Sequence, residues 1–242
     1  MSLTVGSDKI SHVPSVIDAL TRRARRDGAR PLLTWYDLST GARTELSGVT
    51  LANWADKTAN LLLELDVEAG DVVAMPLVTT DPGHWTTLAL LTGAWQAGAT
   101  VAAGDDPEAV LTVVGPADPR VRSGASGDVL ACSLHPLGLG LQGTLGPGVI
   151  DFSEDVRAQP DHFGGVPVDQ GTTAWRDGSR SMSYAAVGEV EPSAERRLVR
   201  PTGPWETVRA ALVAPLLGGG SSLVVVGEGD VTRIAETERA DA

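Results

Sequence analysis

Cysteine is almost missing from this sequence. Cys132 stands alone in the apolar run VLACSL, so no disulfide can close within the chain, and a thiol in that setting reads as a small buried hydrophobe rather than a nucleophile. Basic residues are outnumbered, and the formal net charge of -12 argues against nucleic acid, whose phosphates would be repelled over most of the surface. The one basic cluster, Arg22, Arg23, Arg25 and Arg26, falls late in an expected helix and complements its dipole. Long apolar runs are absent too, as is an apolar signal region beside Asp8 and Lys9, so a cytoplasmic protein with no membrane contact is expected. His12, His84, His135 and His162 lie far apart with no ligand spacing, which leaves no metal site to expect. No Gly-x-Ser-x-Gly elbow is present, removing the simplest hydrolase reading. The glycines of GLGLQG, Gly138, Gly140 and Gly143, fit a dinucleotide fingerprint, but Gly146, Pro147 and Gly148 follow at once and forbid the helix it needs. Phenylalanine and tyrosine occur only twice each, whereas tryptophan occurs six times.

What the chain does have is one unit used twice, at 70–103 and 195–227. Each copy reads as an apolar strand, a turn with a proline at a helix start, a helix beginning near a tryptophan, a glycine stop and a second apolar run, that is, βαβ with parallel strands. Asp81 and Pro82 are expected at N-cap and first helical position in the first copy, Gly203 and Pro204 in the second. Trp85 precedes Gly98 by thirteen residues, as Trp205 precedes Gly218, which predicts helices of matching length stopped by those glycines.

Around these units the pattern predicts a helix from Pro14 to Arg26 and a hairpin of Pro31 to Tyr36 with Ala42 to Leu46. A second helix, capped by Ser47 or Thr50, has the apolar face Leu51, Trp54, Ala55, Leu61, Leu62 and Leu65. Strands are expected at Val110 to Val114 and Val129 to Leu134, joined by a surface loop over Gly115 to Asp128. The glycine-rich stretches Pro136 to Gly148 and Gly164 to Gly171 are expected to be irregular. Thr172 to Trp175 and Ser181 to Val187 fit short strands or a strand leading into a helix, and Asp230 to Glu238 a short polar helix. Asp105 and Asp106 fall at the carboxyl end of a parallel strand, where ligands sit in such sheets, but are expected to cap a helix from Pro107 onward. The expectation is a single α/β domain over 1–242 with mainly parallel sheets and two sub-cores, 14–114 and 129–242.

The stretch from Glu45 through the first unit resembles the N-terminal region of the adenylate-forming, AMP-binding superfamily, which includes acyl-CoA synthetases. Leu46, Leu51, Gly70, Asp71, Val73, Ala97, Gly98 and Ala99 match its pattern in order and spacing, and Ala214 to Gly219 is similar to its "Ala-Pro-Leu-Leu-x-Gly-Gly" element. All of these are packing, capping or turn residues, so the likeness implies fold rather than activity. Members activate a carboxylate with ATP through a glycine-rich loop ending in "Gly-x-Pro-Lys-Gly", whose backbone N–H groups and lysine surround the phosphates. The equivalent place is 171–180. Taking Thr172 to Trp175 as the strand leaves Asp177, Gly178, Ser179 and Arg180 as a shortened loop without lysine, and loss of one such contact costs about a hundredfold or more in rate. The family's downstream motifs are not found either. No catalytic residue is carried over, and neither ATP nor AMP is expected as a cofactor. Any residual anion binding would fall to Ser179 and Arg180, beside Gly178.

The leading expectation is a non-catalytic relative that binds a partner protein, or a nucleotide or acyl ligand in a degenerate pocket. The alternative is an acyl-adenylate or CoA-ester ligase completed by a second subunit, and a ligand-free structural protein is the third reading. A homo-oligomer or protein partner is expected on the family likeness and on the tryptophans, which are enriched at interface anchors.

Overall fold

The computed structural model describes residues 15–165, 168–178 and 180–241. In chain order the first elements are helix α1 (Val16–Asp27), strands β1 (Pro31–Asp37) and β2 (Ala42–Ser47), helix α2 (Gly48–Glu64), strand β3 (Val72–Ala74), helices α3 (Pro76–Thr80) and α4 (Trp85–Gln96), and strands β4 (Thr100–Ala102) and β5 (Ala109–Val114). There follow α5 (Arg120–Ser123), β6 (Val129–Ala131), β7 (Val149–Asp151), α6 (Phe152–Ala158), β8 (Thr173–Asp177), β9 (Arg180–Ser183) and α7 (Tyr184–Gly188). The last are β10 (Arg196–Val199), α8 (Pro204–Val208), a π turn (Arg209–Val213), α9 (Ala214–Gly218), β11 (Ser221–Val226) and α10 (Val231–Glu238).

Two sheets result. A four-stranded one has the order β10-β11-β1-β2, parallel except for β2, and a seven-stranded one the order β7-β6-β5-β3-β4-β8-β9, parallel except for β9. This is the expected α/β class with mainly parallel strands. Both repeated units form as βαβ, β3 pairing parallel with β4 and β10 with β11. The small sheet joins the ends of the chain, since β1 pairs parallel with β11 over Leu33 to Asp37.

The local chemistry explains most boundaries. Ser15 caps α1 in a capping box with Asp18, and Ser47 caps α2 by accepting the Thr50 amide at 3.2 Å. On α2 the residues Leu51, Ala55, Leu61 and Leu62 are fully buried, as their spacing requires, and α2 lies against α4, which is buried from Trp85 to Trp95. Their crossing is close at Gly93, where any β-carbon would overlap the Thr58 side chain.

Four boundaries differ from the sequence expectation. His84, not Asp81, is the N-cap of α4: Pro76 starts a short helix earlier, the Asp81 amide closes that helix on the Leu77 carbonyl, and Asp81 to Gly83 form the turn between. The second helix is stopped by Gly219, in the left-handed region at φ 79°, because Gly218 is consumed in packing against the Ser193 backbone. No helix starts at Pro107, since Asp106 takes the Glu108 amide at 2.9 Å in a turn that leads directly into β5. Finally, α5 interrupts the Gly115 to Asp128 loop, and β7 and α6 arise from VIDFSEDVRA, whose apolar residues are too few to announce them.

The second unit's helix contains a π turn, and Pro215 supplies its reason. Proline has no N–H to give the carbonyl four residues back, Ala211, and the buried Ser222 hydroxyl donates to that carbonyl instead, at 2.6 Å.

Candidate functional site

The place expected for a phosphate loop is a tight hairpin. Asp177 ends β8, Arg180 begins β9, and the two are paired across the antiparallel ladder, with Gly178 in the turn. Ser179 lies outside the described residues. Asp and Gly at these positions are what a short turn selects.

The hairpin's polar groups face one another and the second repeated unit. The Trp175 indole donates to Asp177 Oδ2 at 3.0 Å, and the Arg180 guanidinium lies 3.7 Å from the same carboxylate. Its other nitrogen donates to Glu206 Oε1 at 3.2 Å, and its carbon sits 6.0 Å from the centre of the Trp205 ring. Trp205 packs on Trp175 at 5.4 Å between ring centres, and both rings are buried. Glu206 stands in the first turn of α8, where a carboxylate complements the helix dipole. Arg180 is thus shared between two carboxylates and an aromatic face, and the local charge is negative. An approaching phosphate would meet repulsion from Asp177 and Glu206, with Arg180 already paired with both carboxylates.

A second polar cluster closes the carboxyl end of the large sheet. Arg176 on β8 pairs with Asp106 at 2.5 Å and Glu108 at 2.9 Å, and Arg120 pairs with Asp105 at 2.6 Å and Asp118 at 2.7 Å. Partial burial would raise Asp106, but the Glu108 amide and Arg176 hold its carboxyl below the usual range. These aspartates are therefore structural ion-pair partners.

The remaining candidates take structural places. Cys132 is fully buried, and desolvation pushes its thiol far up. Gly138, Gly140 and Gly143 lie in an irregular loop that leads into β7 rather than into a helix. No group of three or more metal-ligating side chains occurs among the described residues. Five tryptophans, Trp35, Trp85, Trp95, Trp175 and Trp205, are buried. Two cavities stand out: one of about 650 Å³ among α1, α2, α4 and the segment after His162, and one of about 550 Å³ at the ends of β1 and β11.

Solved structures with this architecture share a theme. An acyl-CoA synthetase from Brucella canis superposes with a TM-score of 0.73 at 18% identity, covering 93% of this chain and 46% of that one. The N-terminal domain of FACL13 from Mycobacterium tuberculosis gives 0.64 at 15% identity, covering 93% and 61%. The anthranilate CoA ligase AuaEII in complex with anthranoyl-AMP gives 0.64 at 14%, covering 91% and 46%. The fold is that of the N-terminal domains of acyl-CoA synthetases and other adenylate-forming enzymes, and the chain spans about half the length of the full enzymes it matches. At closer range it is 37% identical over 218 residues to a TIGR03089 family protein of Mycobacterium tuberculosis, covering 85% of this chain and 86% of the relative. The chain belongs to that family. No protein-family model matches it.

The resemblance seen in the sequence thus holds at the level of fold. Sequence reasoning did not find Trp205 and Glu206 as partners of the hairpin. The only signal was Glu206 in the first turn of the second helix, which gave no hint that Arg180 would reach it.

Proposed function

We propose that this protein is a non-catalytic, binding member of the adenylate-forming fold. One observation supports the reading: the stretch that the family resemblance makes equivalent to the phosphate loop is a lysine-free hairpin whose arginine is engaged by Asp177, Glu206 and Trp205. Catalysis of adenylation rests on preorganised positive charge around the transferring phosphates, and each such contact is worth about 3 kcal/mol. Here the positive charge of Arg180 is offset by Asp177 and by Glu206 of α8. The hairpin's role is mechanical, tying the large sheet to the start of α8 in the small sheet's crossover.

The protein then acts through contact with a second protein or a second copy. Because five of the six tryptophans are inside, that contact falls to exposed groups such as Leu137 and Leu139 on the irregular loop. No helix among the described residues is long and apolar enough to cross a membrane.

Carboxylate-dependent exchange of pyrophosphate into ATP, measured on the full chain with aliphatic and aromatic acids, tests the reading. Exchange at background supports it. Exchange above background that disappears in an Arg180→Ala variant overturns it.

A further inference from the structure

Between Ser15 and Arg30 the chain carries five arginines, Arg22, Arg23, Arg25, Arg26 and Arg30, against two aspartates, Asp18 and Asp27, although its net charge is -12. The structure sorts these arginines into two kinds. Arg23 is structural: its guanidinium donates to the Gly219 carbonyl at 2.9 Å and to the Pro31 carbonyl at 3.3 Å, tying α1 to the end of α9 and the start of β1. Arg22, Arg25, Arg26 and Arg30 are exposed, and none has a side-chain hydrogen bond or an ion pair among the described residues. Arginines elsewhere pair with carboxylates, as Arg43, Arg120, Arg176 and Arg196 do.

The fold does not account for these four. Arg25 and Arg26 lie in the last turn of α1, where a cation complements the helix dipole, but Arg22 precedes that turn and Arg30 lies beyond the helix. Arg22 neighbours Arg25 and Arg26 at three- and four-residue spacing, and like charges so placed cost a helix about 0.2 to 0.5 kcal/mol per pair. Nearby carboxylates are committed elsewhere: Asp18 to the capping box with Ser15, and Asp56, across a cavity that Arg25 also lines, to the Gln96 amide. Residues 1–14 bring one carboxylate, Asp8, and one ammonium, Lys9, and so no net negative charge.

Apolar surface adjoins the cluster. Val49, at the start of α2, is 43% exposed and lies on the end of α1, where a β-carbon on Gly28 would come within 2.5 Å of it. Its amide donates to the Gly28 carbonyl at 3.0 Å. Arg25 and Val49 both line the cavity of about 650 Å³, whose wall includes Ile17, Leu20 and Phe163. Arginines around exposed apolar surface, with a pocket beside them, are the make-up of a protein docking site, in which an apolar anchor is buried and charges set partner and orientation.

The charge pattern chooses the partner. Arg22 to Arg26 covers only about 6 Å of helix axis, and outside residues 15–30 the chain is strongly acidic. Duplex nucleic acid or an anionic membrane would overlie that acidic surface as well, where charges closer than about 8 Å are weakly screened. A second copy meeting this face about a twofold axis would set arginine against arginine. A compact row of carboxylates on a helix matches the patch, and guanidinium groups take carboxylates in bidentate pairs. We propose that the arginine face of α1, with Val49, docks an acidic amphipathic helix of a partner protein. The proposal goes beyond the non-catalytic reading and shares with it only the existence of a protein partner: it concerns a different surface from the hairpin, and the outcome of pyrophosphate exchange leaves it untouched.

Fluorescence anisotropy on the full chain tests it, the probe being a fluorescein-labelled helical peptide of glutamate, leucine and alanine. Saturable binding that weakens as sodium chloride is raised is expected. Arg22→Gln, Arg25→Gln and Arg26→Gln together should weaken it about tenfold, the scale of three exposed ion pairs. The control has the same net charge: Arg209→Gln, Arg233→Gln and Arg239→Gln together, at exposed arginines elsewhere, should bind as the parent does. Val49→Asp, which the helix dipole tolerates in the first turn of α2, should weaken binding as well. If the first triple variant loses its fold by circular dichroism, Arg22→Gln with Arg30→Gln serves, with an expected loss of about threefold. No saturable binding, equal weakening in the control, or unchanged affinity in Val49→Asp overturns the proposal. So does tighter binding to phosphatidylglycerol vesicles or duplex DNA than to the peptide, or a self-association that the first triple variant abolishes.

Discussion

Arg180 reaches from the turn of one sheet's hairpin to Glu206 in the first turn of the other sheet's crossover helix, 3.2 Å away. The contact sits over buried Trp175 and Trp205, and it is the polar seam between the large sheet and the second repeated unit. Because the side chains are 38% and 49% exposed, water screens most of the attraction. A double-mutant cycle with Arg180→Ala and Glu206→Ala should give a coupling of about 0.2 to 1 kcal/mol by denaturant unfolding, shrinking with salt. A coupling of zero at low salt would remove the latch from the account.

His84 makes stability depend on pH. Burial holds its folded pKa near 4, against an ordinary value of 6.5, so between these limits the unfolded chain binds the extra proton. The stabilisation is complete above 6.5 and is lost as pH falls toward 4, by up to about 3 kcal/mol. In His84→Asn the side-chain oxygen can still cap α4, and the stability slope through this window should flatten relative to the parent. Parallel slopes in the two proteins would show that His84 does not titrate as described.

Ser222 replaces the N–H that Pro215 lacks. In Ser222→Ala the Ala211 carbonyl stays buried without a donor, which should cost about 1 to 3 kcal/mol in chemical denaturation. Restoring the N–H with Pro215→Ala in the same chain should recover part of this, since an unbroken α-helix can then satisfy the carbonyl itself. Equal stability of parent and Ser222→Ala would mean that water serves the carbonyl.

The elements legible in the sequence are those fixed by near neighbours. The β1–β2 hairpin, the stripe of α2 and the two βαβ units follow from period, caps and glycine stops a few residues apart. Boundaries failed where a competing neighbour intervened: Pro76 starting α3 took the capping role from Asp81, and Ser193, distant in sequence, took Gly218 into packing. The turn character of Asp177 to Gly178 was readable from the residue types, but its engagement by Glu206 was not. The approach of Trp35 to His84 depends on how β1 lies beside the α3–α4 turn, which no local pattern encodes.

Thermal unfolding of the full chain with and without Mg-ATP and AMP tests the central claim most directly. A nucleotide at a hundred times its dissociation constant would add about 2.7 kcal/mol to a protein that binds it. The latched, lysine-free hairpin predicts no shift in Tm with either nucleotide up to millimolar concentration. A rise in Tm that grows with nucleotide concentration and is lost in Arg180→Ala would contradict it.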